Sequence, residues 1–130
     1  MYLLDTNTVI YFFKGQGRVP ERLLAIAPGE TTVSSITVYE IETGIAKSRQ
    51  PERLRSNLDQ FLSMVVVLPF QTHEAKRAAR IRADLEESGM PIGPYDILIA
   101  ATAVANARIL VTRNVREFSR VQGLMVENWY

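Results

Sequence analysis

Four acidic residues stand where a chain of this kind could do chemistry. Asp5 closes the short apolar run Tyr2-Leu3-Leu4. Glu40 falls in the first turn of a helical segment after the β-branched run Thr31 to Ser34. Asp96 opens the apolar segment Asp96 to Ala107, and Glu117 lies just beyond Thr112-Arg113-Asn114. None has a neighbouring Lys or His to neutralise it. Brought together, four such carboxylates would repel unless cations sat among them. Hard oxygen ligands favour magnesium or manganese over zinc. Cations held this way bind phosphate oxygens and lower the pKa of an attacking water, so metal-assisted phosphodiester hydrolysis is the matching reaction class. Each acid also has a plainer reading. Asp5 could cap a helix, Glu40 could close a capping box with Thr37, Asp96 could be an N-cap, and Glu117 could pair with Arg113 or Arg120.

Other chemistries are excluded by composition. There is no Cys, which removes disulfides, thiolate catalysis and Cys-ligated metals. A single His, His73, removes His-cluster metal sites, and near the start of its helix it reads as a solvated residue. With 47% hydrophobic and 22% charged residues the chain is of globular type, and 130 residues make one domain able to bury a core without staples. No apolar run approaches a membrane span. The first residues lack a signal peptide's basic and long apolar regions, so the cytoplasm is the expected compartment.

The elements that must position the acids follow from local pattern. Strands are expected at Tyr2 to Leu4, Thr31 to Ser34, Met64 to Leu68, Ile109 to Val111 and Met125 to Glu127. Helices are expected over Thr8 to Phe13, capped by Thr6 or Asn7, and over Pro20 to Ala27. Others are expected over Thr37 to Lys47, Pro51 to Ser63, Thr72 to Ser88 and Asp96 to Ala107, with Met90 to Tyr95 as loop. Strands and helices alternate, and the strands lack period-two polarity. That pattern predicts an α/β fold with a parallel sheet covered on both faces. Ligands of such sheets bind beyond the carboxyl ends of the strands, where the four acids would lie. Tyr95 and Phe118, beside two of them, read as core.

The net charge is only +1, but its distribution is uneven. Eight Lys or Arg lie between Lys47 and Arg82 against three acids, and four Arg between Arg108 and Arg120 against Glu117 alone. A basic rim round an acidic hole suits a polyanion held beside a cation. Arg113 and Arg116 flank the expected site and are the candidate phosphate contacts. The Lys76, Arg77 and Arg80 face also reads as solvated surface, with Arg80–Asp84 and Arg82–Glu86 at pairing distance along a helix. Val9 to Phe13 crowds three aromatics into a short helix, which predicts an exposed apolar surface. Tyr11 and Phe12 are its candidate partner-binding residues.

Four segments together carry a family resemblance: Leu3-Leu4-Asp5-Thr6-Asn7, Ser34 to Glu40, Pro91 to Asp96, and Leu110 to Asn114 with Arg116-Glu117-Phe118. In this order, across Tyr2 to Trp129, they resemble a PIN-domain ribonuclease, and more narrowly the VapC-type toxins of bacterial type II toxin–antitoxin pairs. The resemblance implies a single PIN-like domain with a five-stranded parallel sheet flanked by helices. It implies a magnesium- or manganese-binding pocket built from Asp5, Glu40, Asp96 and Glu117. Thr6, Asn7, Ser35 and Thr112 match polar positions that orient the acids. Asn114 matches a position where many PIN domains carry an acid or a polar residue near the metal. The implied function is RNA cleavage, with tRNA as one substrate class. The implied partners are a cognate VapB-type antitoxin, a second copy of the chain in a homodimer, and operator DNA reached only through the antitoxin.

Two phosphoryl-handling folds of similar alternation fail on chemistry. A response-regulator receiver needs an acid after its third strand and a late Lys, but Leu68-Pro69-Phe70 stands there and no Lys follows Lys76. A dehalogenase-like phosphatase needs a second acid where Asn7 stands. The rival from another class is a PIN-like module without activity that binds antitoxin and acts only in DNA-bound autoregulation. Keeping four mutually repelling acids argues against it.

Overall fold

The computed structural model describes all residues, Met1–Tyr130. Five strands, β1 (Tyr2–Leu4), β2 (Thr31–Ser34), β3 (Val66–Leu68), β4 (Ile109–Val111) and β5 (Val126–Glu127), form one sheet in the order β3-β2-β1-β4-β5. Every pairing is parallel. Seven α-helices connect them: α1 (Thr6–Lys14), α2 (Val19–Leu24), α3 (Ser35–Lys47), α4 (Pro51–Leu62), α5 (Thr72–Glu87), α6 (Pro94–Ala105) and α7 (Val115–Phe118).

Alternation along the central strands builds two cores. Leu3 and Leu110 face one side and pack with α5, α6 and Phe118. Leu4 and Val111 face the other and pack with Val9, Val33, Ile41, Leu58, Phe61 and Trp129. Successive strand side chains point to opposite faces, so both layers need apolar residues and the strands carry no polar alternation. Helix α6 is buried nearly all round, through Ile97, Ile99, Ala100, Ala101, Thr102 and Ala103, as its uniform apolarity requires. It is tied to α5 where Glu74 accepts from Asn106 Nδ2 at 3.2 Å.

Several expected boundaries move. Helix α1 begins at Thr6 rather than Thr8, and its cap is Asp5, not Thr6 or Asn7. Helix α2 stops at Leu24, short of Ala27, and a single 3-10 turn, Pro28–Glu30, follows. Pro94 and Tyr95 belong to α6 rather than to the preceding loop. Strand β3 is shorter than Met64 to Leu68 and lies at the sheet edge, where Val66 and Val67 are exposed instead of covered. Helix α7 and the 3-10 turn are too short for any periodicity to announce.

The crowded aromatics of α1 also differ from expectation. Tyr11, Phe12 and Phe13 are each half-buried rather than exposed. Phe12 and Phe13 pack on Phe61 at centroid distances of 5.8 and 6.0 Å, and Tyr11 packs on Tyr130 at 4.9 Å. Helix α4 and the C-terminus supply the second and third surfaces that one sheet face could not.

Candidate active site

The carboxyl ends of β1, β2 and β4 open on the same side, because the strands are parallel and in register at Leu4, Val33 and Val111. The next residues of each strand form the floor of an acidic pocket. Asp5 is buried there and does two jobs. Its Oδ1 accepts from the Thr8 backbone N–H at 2.8 Å, capping α1, and its Oδ2 accepts from the Thr112 hydroxyl at 2.6 Å. The Thr112 hydroxyl also accepts from the Asn114 N–H at 3.0 Å, which fixes the turn after β4. Burial pushes the Asp5 carboxyl above its ordinary range, against the hydroxyl and amide donors that pull it down.

Glu40 does not close a capping box. Ser34 caps α3 instead, its hydroxyl accepting from the Ile36 N–H at 3.1 Å, so Thr37 lies inside the helix. Glu40 is thereby free to face the pocket, where its Oε1 accepts from the Thr6 hydroxyl at 2.7 Å. That hydroxyl also lies 3.1 Å from the Thr37 hydroxyl, linking α1 to α3. Asp96 is not an N-cap: α6 begins two residues earlier, after Gly93, with Pro94 in its first turn. Its carboxyl is raised to about 6, first by burial and then by the charges of Asp5, Glu40 and Glu117. The four acids therefore share one electrostatic neighbourhood. As the side chains stand, no three of them converge closely enough to chelate one ion.

Glu117, half-buried on α7, makes no ion pair with Arg113 or Arg120. Arg113 instead lies over the Tyr130 ring, 3.7 Å from its centroid, and Arg120 donates to the Pro91 carbonyl at 3.2 Å. Asp5, Asn7, Tyr11, Arg113 and Asn114 line a cavity of about 200 Å³ at the pocket's edge. Arg116 is exposed on α7. The Ser35 hydroxyl holds none of the acids; the position before it, Ser34, does the structural work. Phe118 is core as expected, but Tyr95 is not: it is exposed and its hydroxyl lies 3.2 Å from that of Tyr39. The hydrogen bond shared with Tyr39 chiefly, with the smallest contribution from Glu40's charge, raises the Tyr95 phenol. Tyr39 was missed in the sequence; its signal was position, one residue before Glu40 on a helix.

Basic residues gather on a neighbouring flank. Arg77, Arg80 and Arg120, with Asp84, line a groove of about 670 Å³ between α5 and the segment after α7. A second cavity of about 260 Å³, lined by His73, Lys76, Arg77 and Arg80, adjoins it. The expected pairs do form, Arg80–Asp84 at 3.5 Å and Arg82–Glu86 at 2.9 Å, but Arg80 remains largely exposed.

Comparison with known proteins agrees with this geometry. The PIN domain family model matches residues 2–124. The chain is 44% identical to ribonuclease VapC2 of Haemophilus influenzae, over 98% of this chain and 97% of that protein. It is 37% identical to the tRNA(fMet)-specific endonuclease VapC of Salmonella typhimurium, again over 98% and 97%. The VapBC2 structure from Rickettsia felis, bound to a DNA fragment from its promoter, superposes with a TM-score of 0.93 at 35% identity, covering 99% of this chain and 98% of that one. With the family model matched over residues 2–124 and fold and length shared with these relatives, the chain belongs to the PIN domain family, among the VapC ribonucleases.

Proposed function

We propose that this protein is a metal-dependent endoribonuclease toxin that hydrolyses RNA phosphodiester bonds, tRNA among them, and so inhibits translation and growth. One observation carries the proposal most directly. Asp96 sits among three other carboxylates; burial first, and then their charges, raise its pKa to about 6, and no basic side chain is paired to any of the four. A structural site would supply a counter-charge; this one leaves room for a cation. The donor set, carboxylate oxygens without Cys or His, fits magnesium or manganese. The spread of the acids fits an ion that keeps several of its waters, as magnesium does. Asp5, Asp96 and Glu40 would hold it. When bound, the ion supplies positive charge at the phosphate and lowers the pKa of the attacking water.

The chain's own residues do the rest. Thr8 and Thr112 hold Asp5 in one orientation, and Thr6 holds Glu40. Glu117 completes the negative wall from α7. Asn7 and Asn114 line the edge of the pocket beside Arg113. Arg113 and Arg116 meet substrate phosphates, and the Arg77–Arg80–Arg120 groove continues the positive surface along which an RNA backbone would lie.

The same proposal extends to partners. The Rickettsia felis relative is a VapBC complex bound to promoter DNA, and the Salmonella typhimurium relative is named for tRNA(fMet). By likeness, this chain is neutralised by a cognate VapB-type antitoxin, pairs with a second copy of itself, and meets operator DNA only through the antitoxin. The half-buried Tyr11 and Phe12 on α1 remain the proposed antitoxin contacts. No helix is long and apolar enough to cross a membrane, and the proposed place of action is the cytoplasm, with the RNA.

Cleavage of purified tRNA, with and without manganese or magnesium, tests the proposal. Asp5→Asn and Asp96→Asn should keep the fold by circular dichroism and lose about tenfold or more of the cleavage rate. Glu117→Gln should lose less. Chelation of the metal should stop the wild type. Asp variants that fold and cut RNA as the wild type does would overturn the assignment.

A further inference from the structure

Two aromatic side chains beside the acidic pocket are not used by the core. Tyr39 is 52% exposed and Tyr95 43%, whereas Phe61, Phe118 and Trp129 are almost wholly buried. They come from different helices, α3 and α6, yet meet. Their hydroxyl oxygens lie 3.2 Å apart, their ring centroids 5.5 Å apart, and their planes cross at 56°. The contact makes one ordered aromatic surface out of two exposed rings, and such a surface gains by being covered.

Position indicates what covers it. Tyr39 directly precedes Glu40, and Tyr95 directly precedes Asp96. Neighbouring helix positions are roughly 100° apart around the axis, so each tyrosine stands on the rim while the next residue faces the pocket. The Glu40 charge is also the smallest of the causes that raise the Tyr95 phenol, in keeping with that placement. Given the RNA cleavage proposed above, on which this step rests, a phosphodiester among the carboxylates brings a nucleotide on either side of it to the rim.

We propose that Tyr39 and Tyr95 form a nucleobase-stacking platform, holding the base of a nucleotide that flanks the scissile phosphate. A base sandwiched between two rings needs roughly 7 Å between them, so at 5.5 Å the base must lie on the outer face of the pair rather than between its members. Stacking tolerates any base, since each has a π face. It does require the base to be unpaired. The platform therefore selects single-stranded or looped RNA over duplex, because only there can a base be splayed onto an aromatic ring. The two hydroxyls stand at the edge of the surface, able to donate to or accept from the edge of that base.

The test uses a short single-stranded RNA containing the cut site, together with a set of the same RNA carrying one abasic residue at each position in turn. Wild type, Tyr39→Leu, Tyr95→Leu and the two corresponding Phe variants are compared for kcat/KM. Wild type should lose about tenfold at one abasic position flanking the cut. The Leu variants should lose a similar factor on intact RNA and nothing further on that abasic RNA. The Phe variants, which keep the ring, should fall between wild type and Leu. Leu variants that cut intact RNA like wild type would overturn the platform, as would losses that simply add to the abasic loss. Changed sedimentation with unchanged cleavage would mean a protein contact instead, and would also overturn it. Should the Leu variants unfold, the wild type's abasic series still decides: no position-specific loss rejects the idea. Failure of the ribonuclease function itself is separate and visible, since then wild type cuts none of the RNAs, and the platform falls with it.

Discussion

Asp5 and Asp96 are carboxylates that burial holds above their ordinary range, an electrostatic cost that the proposed site would explain. Asp5 is buried with one donor on each of its oxygens, which fixes its orientation through the protein alone. Asp96 has fewer supports and more like charge around it, and its pKa rises from 3.8 to about 6. The sign of the consequence follows from proton linkage. Between about pH 4 and pH 6 the folded chain holds a proton on Asp96 that the unfolded chain has released. The metal-free protein should therefore lose stability as pH rises through that window. Asp96→Asn removes the ionising group and should flatten the decline. Thermal melts from pH 4 to 7 in the presence of chelator measure it. At pH 7, added manganese should raise the wild-type melting temperature and leave Asp96→Asn much less changed, since an ion that binds only the folded state stabilises it by mass action. Equal pH slopes in the two proteins would show that Asp96 does not carry the strain.

Whole elements, and above all where each helix begins, decide which acids are free to act. The Thr37–Glu40 spacing is a sound capping-box pattern, yet Ser34 caps first and makes the box redundant. Likewise Pro94 starts α6 ahead of Asp96. Both starts had signals in the sequence, a Ser after a β-branched strand and a Pro in a first turn, but competing caps a few residues apart cannot be ranked without the tertiary contacts. Asp5 shows the opposite case, since capping, weighed as an alternative to site duty, is observed in it and still leaves its second oxygen on the pocket side with Thr112, compatible with the proposed site duty. The strands and the long helices α4, α5 and α6 were legible because their apolar pattern is dictated by two cores that must both be filled. The exposure of Tyr95 was not legible, because an aromatic beside an apolar helix looks alike in sequence whether it faces inward or outward. The turn before α6 also supplies a test. A Cβ on Gly93 would lie 3.3 Å from Asp96 Oδ2, close enough to push the carboxylate by a few tenths of an ångström. Gly93 has φ of −55°, so alanine meets no backbone penalty there. Gly93→Ala should thus lower the cleavage rate severalfold while its denaturation midpoint stays near that of wild type, because small misplacement of a reacting group is costly to rate. Parallel kinetics and urea titration check it, and a variant with normal cleavage would show that Asp96 tolerates the shift.

Over the whole molecule, charge is sorted rather than balanced. Lys76, Arg77, Arg80 and Arg120 against Asp84 carry +3 on one flank, and the chain's total of +1 leaves −2 for everything else, the acidic pocket included. The stretch from α7 onward touches both regions: Glu117 on α7 faces the carboxylates, and Arg120, two residues past its end, lines the basic groove. We propose that a polyanion bound at the pocket also lies along these arginines, releasing counterions as it binds. For single-stranded nucleic acid each neutralised phosphate contributes about 0.7 to the slope of log affinity against log salt. Replacing Arg77, Arg80 and Arg120 together by Ala should make that slope shallower by about two, with a loss of affinity that is greatest at low salt and similar for different sequences. The measurement is binding of RNA to the Asp5→Asn variant, which should hold RNA without cutting it, with and without the three substitutions. All three side chains lie at the surface or partly so, and the Arg80–Asp84 pair is exposed, so the fold should tolerate their loss. Arg113→Ala is the informative contrast. Its guanidinium lies over Tyr130 at 3.7 Å, so its removal should loosen the C-terminus as well as weaken RNA binding, and a thermal melt separates the two effects. An unchanged salt slope in the triple variant would mean that RNA approaches the carboxylates by another face.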